Sequence, residues 1–438
     1  MTLAPRSSPS SPSSRSPSSR SAAEAPATAT RPRSAAASEG PGRRRSVLII
    51  AGSRDRGAVA AARSLRAAGW TVGAGVPDAG GGLVGGSNAV AHVHRVPRPR
   101  GDASDFLAAI RAAHAEVGYE LLVGAGDDSL SALSHYRDRL PARVAHPPAV
   151  AVKRAGDKLL LSRWAEDAGL AAPETLPATA AVLDRLTARD FPLVVKNRRH
   201  WRPGQLRPLR LETRVCADHA ELRDALAAFR ADGDEPILQQ YRPGRLGALI
   251  GLFHNGRLVG RVQQESPRLW PTPAGSSARA RTVPVDRTLA ASAERLLARV
   301  EWSGLVELQF LISEDGVHRL IDLNGRYFGS LALTERARPG LVDAWARQAT
   351  DRYVPWLQDG EVGLRYQWFP GDVRRALVER RNGLVADLGG TLCWALRSQH
   401  SVFRAQDPGP AVSLITGSIP RVDGSEPAGS GSRAEPAG

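Results

Sequence analysis

The order of apolar and polar positions divides the chain into two unpatterned tails and a long patterned stretch between them. Residues 1–45 consist mostly of Ser, Pro, Ala and Arg, with almost no large apolar side chain. Such a composition cannot bury enough surface to fold. We therefore predict disordered tails at 1–45 and, on the same grounds, at 419–438. The residues between them carry the apolar periodicity of buried strands and amphipathic helices.

The first patterned block, about residues 46–148, alternates short apolar runs with helical patterns. It predicts, in order, a strand at Ser46–Ala51, a helix at Ala58–Ala68, a strand at Thr71–Val76, a helix at Ala103–Val117 and a strand at Glu120–Val123. Strands that alternate with helices are typical of an α/β fold with a doubly wound parallel sheet.

Two turns of this block are candidate ligand sites. The turn Gly52–Gly57 lacks the G-x-G-x-x-G fingerprint, so a tight turn is favoured over a dinucleotide site. Asp127 and Asp128 follow the third strand at the edge where open α/β sheets bind ligands, and a helix cap is an equally good interpretation.

The second block, about residues 149–350, mixes helices with strands that form hairpins. The predicted elements are helices at Lys158–Ala168, Ala217–Phe229 and Leu289–Arg299, and strands at Leu193–Lys196, Ile237–Tyr241, Ala248–His254, Arg257–Gln264, Ala278–Val285, Gly304–Ile312 and Val317–Leu323. Asn255-Gly256 is a strong two-residue hairpin signal. The third block, about 351–418, has the pattern of a small α/β lobe.

The last two strands of the second block bring oxygen-bearing side chains together. Side chains alternate along a strand, so Glu307 shares a face with Gln309, and Asp322 shares a face with Asn324. Such oxygen donors suit Mg²⁺, which takes one or two carboxylates and completes its shell with water and phosphate. A solvated face of an amphipathic hairpin is the alternative. Arg326 continues the face as a cation suited to a transferring phosphoryl group.

Charge narrows the class of ligand. The net charge is +15, of which the first 45 residues contribute +6 through eight Arg and two Glu, and the remainder shows no dense basic stripe. We therefore expect an anionic ligand such as a nucleotide, and neither nucleic acid nor membrane as a partner, since no apolar run is long enough to cross a bilayer. Two cysteines exclude a disulfide framework, so the cytoplasm is the expected compartment.

Lysine is rare enough in this chain to carry information. Of 59 basic residues only Lys153, Lys158 and Lys196 are lysines. Lys158 stands at the start of a predicted helix and Lys196 at the end of a predicted strand, which suits two ammonium groups that grip phosphate. Lys153 matches no such position, and we expect it to lie on the surface.

Five motifs occur in an order and spacing that resemble the ATP-grasp superfamily. They are Asp157-Lys158, Phe191-Pro-Leu-Val-Val-Lys196, Leu238-Gln-Gln-Tyr-Arg-Pro-Gly244, Gly304-Leu-Val-Glu-Leu-Gln-Phe310 and Ile321-Asp-Leu-Asn-Gly-Arg326. The segment Tyr327–Leu331 is similar to the carbamoyl-phosphate-synthase-like branch with its carboxylate–amine ligases. Trp368–Asp372 and Asp407–Pro410 resemble the C-terminal extension of those ligases. The resemblance covers roughly residues 46–415.

The resemblance implies a fold and a set of roles. The fold would be a pre-ATP-grasp parallel sheet, two α+β subdomains that grip ATP, with the lid at about 175–245, and a small C-terminal lobe. Lys158 and Lys196 would hold the phosphates. The remaining implied positions are Gln239, Gln240 and Tyr241 for adenine, Gln309, Asp322, Asn324 and Glu307 for Mg²⁺ or Mn²⁺, Arg326 for the phosphoryl group, and Arg281 with Arg279 as assisting cations.

This sequence departs from the family pattern at several positions. Asp322 stands where the family usually has the longer Glu, and Glu307 on the neighbouring strand is a candidate to compensate. Gln240 stands where Glu is frequent, and its carbonyl can still accept a hydrogen bond. The basic, aromatic segment Arg198–Gln205 replaces the usual small-residue flap over the phosphates.

The resemblance implies an ATP-dependent ligase that joins a carboxylate to an amine through an acyl phosphate, and by analogy a homodimer through the first block. A non-catalytic ATP-binding protein is the alternative, because the changes at Asp322 and Gln240 are also those expected after loss of turnover. A biotin-dependent carboxylase component is disfavoured, because the chain shows no biotinyl-lysine motif.

Overall fold

The computed structural model describes residues 45–78, 80–206, 213–231, 235–272 and 275–416, so the two predicted tails lie outside it apart from residue 45. The strands are β1 (Ser46–Ile50), β2 (Thr71–Val76), β3 (His92–Arg95), β4 (Leu121–Gly124), β5 (Arg143–Val144), β6 (Thr175–Pro177), β7 (Leu193–Asn197), β8 (Arg214–Cys216), β9 (Pro236–Gln240), β10 (Arg245–His254), β11 (Arg257–Trp270), β12 (Ser276–Val283), β13 (Gly304–Ile312), β14 (His318–Asn324), β15 (Arg365–Gln367) and β16 (Ser398–His400).

The helices separate these strands. They are α1 (Arg56–Ala67), α2 (Gly82–Gly85), α3 (Ser104–Val117), α4 (Asp127–His135), α5 (Ala149–Gly156), α6 (Lys158–Asp167), α7 (Ala180–Leu183), α8 (His219–Ala231), α9 (Arg287–Val300), α10 (Leu331–Ala337), α11 (Leu341–Ala349), α12 (Phe369–Glu379), α13 (Leu384–Ala395) and α14 (Gly409–Thr416). No helix of the described ranges is long and apolar enough to span a bilayer.

The first sheet confirms the predicted doubly wound parallel topology. Its strand order is β3-β2-β1-β4-β5 with every pairing parallel. All five residues of β1 are buried, as their continuous apolar run predicts. The order reverses between β1 and β4, so a crevice opens at the carboxyl ends of these two strands. Asp55 follows β1 there and caps α1 by accepting a hydrogen bond from the Ala58 N–H at 3.2 Å.

Two further sheets follow in the chain. The order β6-β9-β7-β8 forms a small antiparallel sheet, and β14-β13-β10-β11-β12-β15-β16 forms a large one that is antiparallel except at its β15–β16 edge. The predicted Asn255-Gly256 turn joins β10 to β11. Both residues have positive φ, 49° and 76°, as a type I′ turn requires.

Alternation along β13 separates core residues from cleft residues. Leu308 and Phe310 are fully buried and belong to the apolar cluster that also contains Leu297 of α9. Each such side chain contributes roughly 1.5–3 kcal/mol through burial. Glu307 and Gln309 alternate onto the other face of the strand, away from this cluster. The packing that orients β13 therefore also fixes the direction of its polar side chains.

The C-terminal elements are α/β, as predicted, and two of their strands, β15 and β16, extend the large sheet. Asp407 fastens this region to the first sheet's layer. Its carboxylate accepts hydrogen bonds from Arg63 Nε at 2.7 Å, Ser87 Oγ at 2.6 Å and the Asn88 N–H at 2.9 Å. Charge-assisted bonds of this kind are stronger than neutral ones, so the Asp407–Pro410 motif has a structural role here.

Candidate active site

A cleft of about 650 Å³, the main cleft, lies between the small sheet and the large sheet. Helix α6 and strands β7, β9, β13 and β14 supply its polar side chains. Ten of the twelve side chains selected from the sequence line it, namely Lys158, Lys196, Gln239, Gln240, Tyr241, Glu307, Gln309, Asp322, Asn324 and Arg326. The cleft therefore brings together residues that are far apart in the chain, from the start of α6 to the end of β14.

The two selected lysines converge on this cleft. Lys158 and Lys196 are buried, and their Nζ atoms lie beside two adjacent residues of β14. Lys196 Nζ donates to the Ile321 carbonyl at 3.3 Å, and Lys158 Nζ lies 3.6 Å from Asp322 Oδ1. Burial, together with the nearby charge of Lys158, lowers the pKa of Lys196 to about 8. Two buried ammonium groups beside one carboxylate leave positive charge for an anion to neutralise.

Asp322 is the carboxylate that faces these cations. Its side chain is 22% exposed, so it is within reach of a ligand in the cleft. Burial by itself would raise the pKa of Asp322, but the charge of Lys158 and the nearby His200 side chain, whose Nε2 lies 3.8 Å from Asp322 Oδ2, hold it well below its ordinary value. The carboxylate is therefore ionised at any pH at which the protein would work, as a metal ligand must be.

Glu307 lies deeper and is held by two amides. Its Oε2 accepts hydrogen bonds from Asn324 Nδ2 at 2.8 Å and from Gln309 Nε2 at 3.1 Å. Burial raises the pKa of Glu307 to about 7. A cation placed beside such a buried carboxylate stabilises its ionised form and lowers its raised pKa.

The donor set fits a magnesium ion with few protein ligands. Among the described residues, no group of three or more His, Cys, Asp or Glu is placed to hold a metal. Asp322 and Glu307 are two carboxylates with two amides beside them, and Mg²⁺ commonly uses that number and takes its other ligands from phosphate and water. Asn324 Oδ1 accepts a hydrogen bond from Arg326 Nη2 at 3.0 Å. An amide oxygen has a second lone pair, so Asn324 can keep this bond and still coordinate a metal.

Arg326 is oriented by a two-bond pair with an aspartate of the first sheet's layer. Its Nε and Nη2 donate to Asp127 Oδ1 and Oδ2 at 2.8 Å and 2.9 Å. Burial opposes ionisation of both groups, but their pairing lowers the pKa of Asp127 to about 2 and raises that of Arg326. The guanidinium is thus a fixed charge at the edge of the main cleft.

The adenine segment predicted from the resemblance ends β9. The register pairs Gln239 with Val194 and Ile237 with Lys196, so Gln239 shares the cleft face with Lys196. The Gln239 amide donates to Thr175 Oγ1 at 2.9 Å, while Tyr241 is 37% exposed. These residues line the main cleft, and their role toward a base stays a prediction.

Arg281 does not reach the cleft. The register links Gln309 through β10 and β11 to Thr282, so Arg281, one residue away, faces the other side of the large sheet. Its guanidinium is 56% exposed and pairs with Glu265 at 3.4 Å. Arg279 pairs instead with Asp372 at 2.6 Å, within the C-terminal elements. Both arginines therefore lie outside the candidate site, and Arg281 lies at a solvent-exposed position of β12.

Three residues that the sequence did not mark as site residues lie at or beside the cleft: Arg56 and His200 line it, and Asp127 pairs with Arg326. Asp127 was open between a cap and a ligand site, and it holds Arg326. His200 belongs to the segment that replaces the small-residue flap, and its Nε2 lies 2.6 Å from Lys158 Nζ. Arg56 begins α1, with its Cζ 3.7 Å from the centre of the Trp368 ring. Of these three, only His200 carried a sequence signal that could have marked it, because a histidine within the basic segment Arg198–Gln205 is unusual.

A second space, the side cavity of about 630 Å³, opens at the carboxyl ends of β1 and β4. Its lining includes the segment that starts α1 and the segment that starts α4, so it occupies the crevice expected of this sheet order. Arg56, His200, Arg326 and Gly329 line both the side cavity and the main cleft. The two spaces therefore adjoin at a group of basic side chains, which we call the cationic junction (Arg56, His200 and Arg326).

Comparison with solved structures identifies the fold. An L-amino acid ligase from Bacillus licheniformis matches over 71% of this chain and 75% of its own, with 14% identity and a TM-score of 0.55. A biotin carboxylase from Campylobacter jejuni matches over 73% and 74%, with 14% identity and a TM-score of 0.56. The chain has the ATP-grasp fold. An N5-carboxyaminoimidazole synthetase from Staphylococcus aureus, with 12% identity over 73% and 80% of the chains and a TM-score of 0.54, shares it.

Sequence comparisons add nothing to this ATP-grasp assignment. No family model matches the chain, and no curated protein sequence matches it. At identities this low the likeness establishes the fold alone, so the activity has to be argued from the cleft itself.

The lowered pKa of Lys196 leads to a prediction for ATP binding above pH 8. Free protein loses the ammonium charge as pH rises through about 8. Bound polyphosphate favours the charged form, so binding takes up a proton and affinity falls by up to about tenfold per pH unit above that point. Glu307, with a pKa of about 7, is already ionised there. Calorimetric titration with MgATP from pH 7.5 to 9.5 measures the slope.

The substitution Lys196→Arg tests whether deprotonation of Lys196 causes the pH dependence of MgATP affinity. Arginine keeps its charge throughout this range, so the slope should disappear, while its planar fork weakens binding at pH 7.5 by about tenfold. Lys153→Arg, the matched control at an exposed position, should keep both the affinity and the slope of the unchanged protein. A slope that persists in Lys196→Arg would assign it to another group.

Proposed function

We propose that the chain is an ATP-dependent ligase that joins a carboxylate to an amine through an acyl phosphate. The observation that carries the proposal is the cationic junction, where a cleft with two buried lysines and two carboxylates meets a second cavity beside Arg326. A phosphoryl donor in one space and an acid in the other would react at their meeting point. The L-amino acid ligase and the N5-carboxyaminoimidazole synthetases of the same fold, one with ADP bound, support this choice.

The proposed reaction has two steps. A carboxylate oxygen of the acid attacks the γ-phosphorus of ATP, the bond from that phosphorus to the β,γ-bridging oxygen breaks, and ADP leaves with the electron pair. The amine nitrogen then attacks the acyl carbon, the carbon–oxygen bond to phosphate breaks, and inorganic phosphate leaves as the nitrogen loses a proton. Such chemistry needs positioning and charge neutralisation more than acid–base groups.

Each cleft residue has a part in this proposal. Lys158 and Lys196 hold the phosphates of ATP, and Gln239, Gln240 and Tyr241 hold its base. Asp322 and Glu307, with Gln309 and Asn324 beside them, would hold Mg²⁺, which would supply neutralising charge at the phosphates. Arg326 faces the transferring phosphoryl group, with its guanidinium oriented in advance by Asp127, so no reorganisation is needed at the moment of reaction.

The experiment is a screen of carboxylic acids for ATP cleavage. Purified full chain with MgATP is mixed with single acids, with and without a pool of amines, and ADP and phosphate are measured. A ligase releases ADP only when its acid is present. MgATP that binds by calorimetry without any acid-dependent release across the panel would favour the non-catalytic alternative. Release that requires bicarbonate and free biotin would favour a carboxylase instead.

Assembly and location are part of the same proposal. A homodimer through the first sheet's layer is proposed by analogy, and size-exclusion chromatography with light scattering tests it. The cytoplasm is the proposed compartment, which is supported by Cys216 and Cys393 both being free thiols.

A further inference from the structure

A third space, the apolar cavity of about 450 Å³, lies beside the side cavity and has no part in the proposed ATP site. Helices α4 and α5 and the segment after β7 enclose it. Its wall is mainly hydrophobic and includes Leu130, Val152, Ala155, Trp201, Trp302 and Leu323. Spaces of a few hundred Å³ with apolar walls and a few polar groups are typical of small-molecule sites.

Most of the titratable side chains that line this cavity are basic. They are His135, Lys153, Arg199, His200 and Arg202, of which Arg199 pairs with Asp157 at 2.9 Å. Asp127 is the acidic residue among its described lining, and Arg326 already binds both of its oxygens. An apolar space edged with positive charge is complementary to a molecule with an apolar body and an anionic group.

The apolar cavity adjoins the side cavity. Asp127, His200 and Trp201 line both spaces. A molecule whose body fills the apolar cavity therefore can place a carboxylate beside His200, at the cationic junction, where the proposed reaction takes place.

The wall also contains donors without acceptors. The indole N–H groups of Trp201 and Trp302 and the Nε of Arg199 are buried, and none meets an acceptor within the described part of the chain. Trp302 is only 5% exposed. Leaving such donors unpaired is costly, and a ligand that carries oxygen atoms offers the acceptors that they lack.

We propose that the apolar cavity binds the side chain of the acid substrate, which is a carboxylic acid with an aromatic or branched aliphatic body. The carboxylate lies toward His200 and Arg326, and the body lies against Trp201 and Trp302. The identity of this ligand as a substrate rests on the proposed function, whereas its binding does not. Small or multiply charged acids are excluded from this role, because they leave the apolar wall unfilled.

The test is binding of 3-phenylpropionate to the full chain by ligand-observed NMR and calorimetry, with MgADP present. Propionate is the matched probe without the aromatic body. We expect phenylpropionate to bind about tenfold or more tightly than propionate, because burial of a phenyl group is worth at least that factor. MgADP affinity is measured in the same samples, so that binding in the apolar cavity and the proposed ligase function are tested independently.

Two variants locate the probe. Ala155→Phe fills the cavity from a buried wall position, and Val150→Glu places a negative charge on its rim at a residue that is 57% exposed, where folding is little affected. Each should weaken phenylpropionate about tenfold and leave MgADP binding unchanged. Val385→Glu is the matched control, since Val385 is 85% exposed and outside the cavity lining.

Equal phenylpropionate affinity in the unchanged protein, Ala155→Phe and Val150→Glu would overturn the proposal. So would MgADP binding with no phenylpropionate binding at all. If phenylpropionate binds and both variants weaken it while MgADP does not bind, the cavity stands and the ligase function fails.

Discussion

Replacing Arg326 with methionine is expected to lower acid-dependent ADP release by about a thousandfold while the affinity for MgATP changes little. The guanidinium lies at the cationic junction, where it can stabilise the negative charge that is spread over the oxygens of the transferring phosphoryl group. Methionine has a similar length but no charge. The substitution therefore removes stabilisation of the transition state, and kcat falls. The measurement is steady-state ADP release with the acid that the screen identifies, alongside MgATP calorimetry.

Folding has to be separated from chemistry in this variant. Without Arg326, Asp127 is left as an unpaired, partly buried carboxylate, which is destabilising. The double variant Arg326→Met/Asp127→Asn removes that charge and should regain thermal stability without regaining turnover. Arg336→Met is the matched control at an exposed arginine and should behave as the unchanged protein. Turnover recovered together with stability would show that Arg326 acts only through folding.

Replacing Asp322 with asparagine is expected to lower ADP release by roughly a hundred- to a thousandfold and to raise the Mg²⁺ concentration needed for half-maximal rate. The side chain keeps its shape and loses one of the two carboxylates that the cleft offers to a metal. It also leaves Lys158 without the counter-charge that lies 3.6 Å away. A magnesium titration of ADP release measures both effects.

Two companion substitutions sharpen this result. Asp322→Glu should retain activity, because the longer carboxylate is still a metal ligand and is the residue usual at this position in the family that the sequence resembles. Asp315→Asn, in the exposed turn of the same hairpin, should leave the magnesium dependence unchanged. If Asp322→Asn kept the magnesium dependence of the unchanged protein, Asp322 would not be a metal ligand.

The candidate site was largely predictable where it depended on local periodicity. Alternation on β13 and β14 placed Glu307 and Gln309 on one face and Asp322 and Asn324 on one face, and the structure pairs Glu307 with Asn324 and Gln309 with Asp322 across the hairpin. The rarity of lysine directed attention to Lys158 and Lys196, which line the main cleft. Their chemical roles remain predictions.

What the sequence did not reveal depended on contacts between distant segments. The pair Asp127–Arg326 joins residues 199 positions apart, and nothing local to Asp127 distinguishes it from a helix cap. The prediction that Arg281 assists at the site was wrong for a related reason. Alternation along β12 divides its side chains between two faces, but the register with β11 and β10 decides which face lies toward the cleft. Single-strand patterns define faces, and sheet assembly decides which face meets the ligand.

The most direct test of the ligase account is to replace the unknown amine with hydroxylamine. Hydroxylamine attacks an acyl phosphate and forms a hydroxamate, which ferric iron makes visible, so the natural amine need not be known. With MgATP and the identified acid, the account predicts hydroxamate in a one-to-one ratio with ADP, and its loss in Arg326→Met. ADP release that depends on the acid but yields no hydroxamate would contradict an acyl phosphate intermediate and with it the proposed reaction.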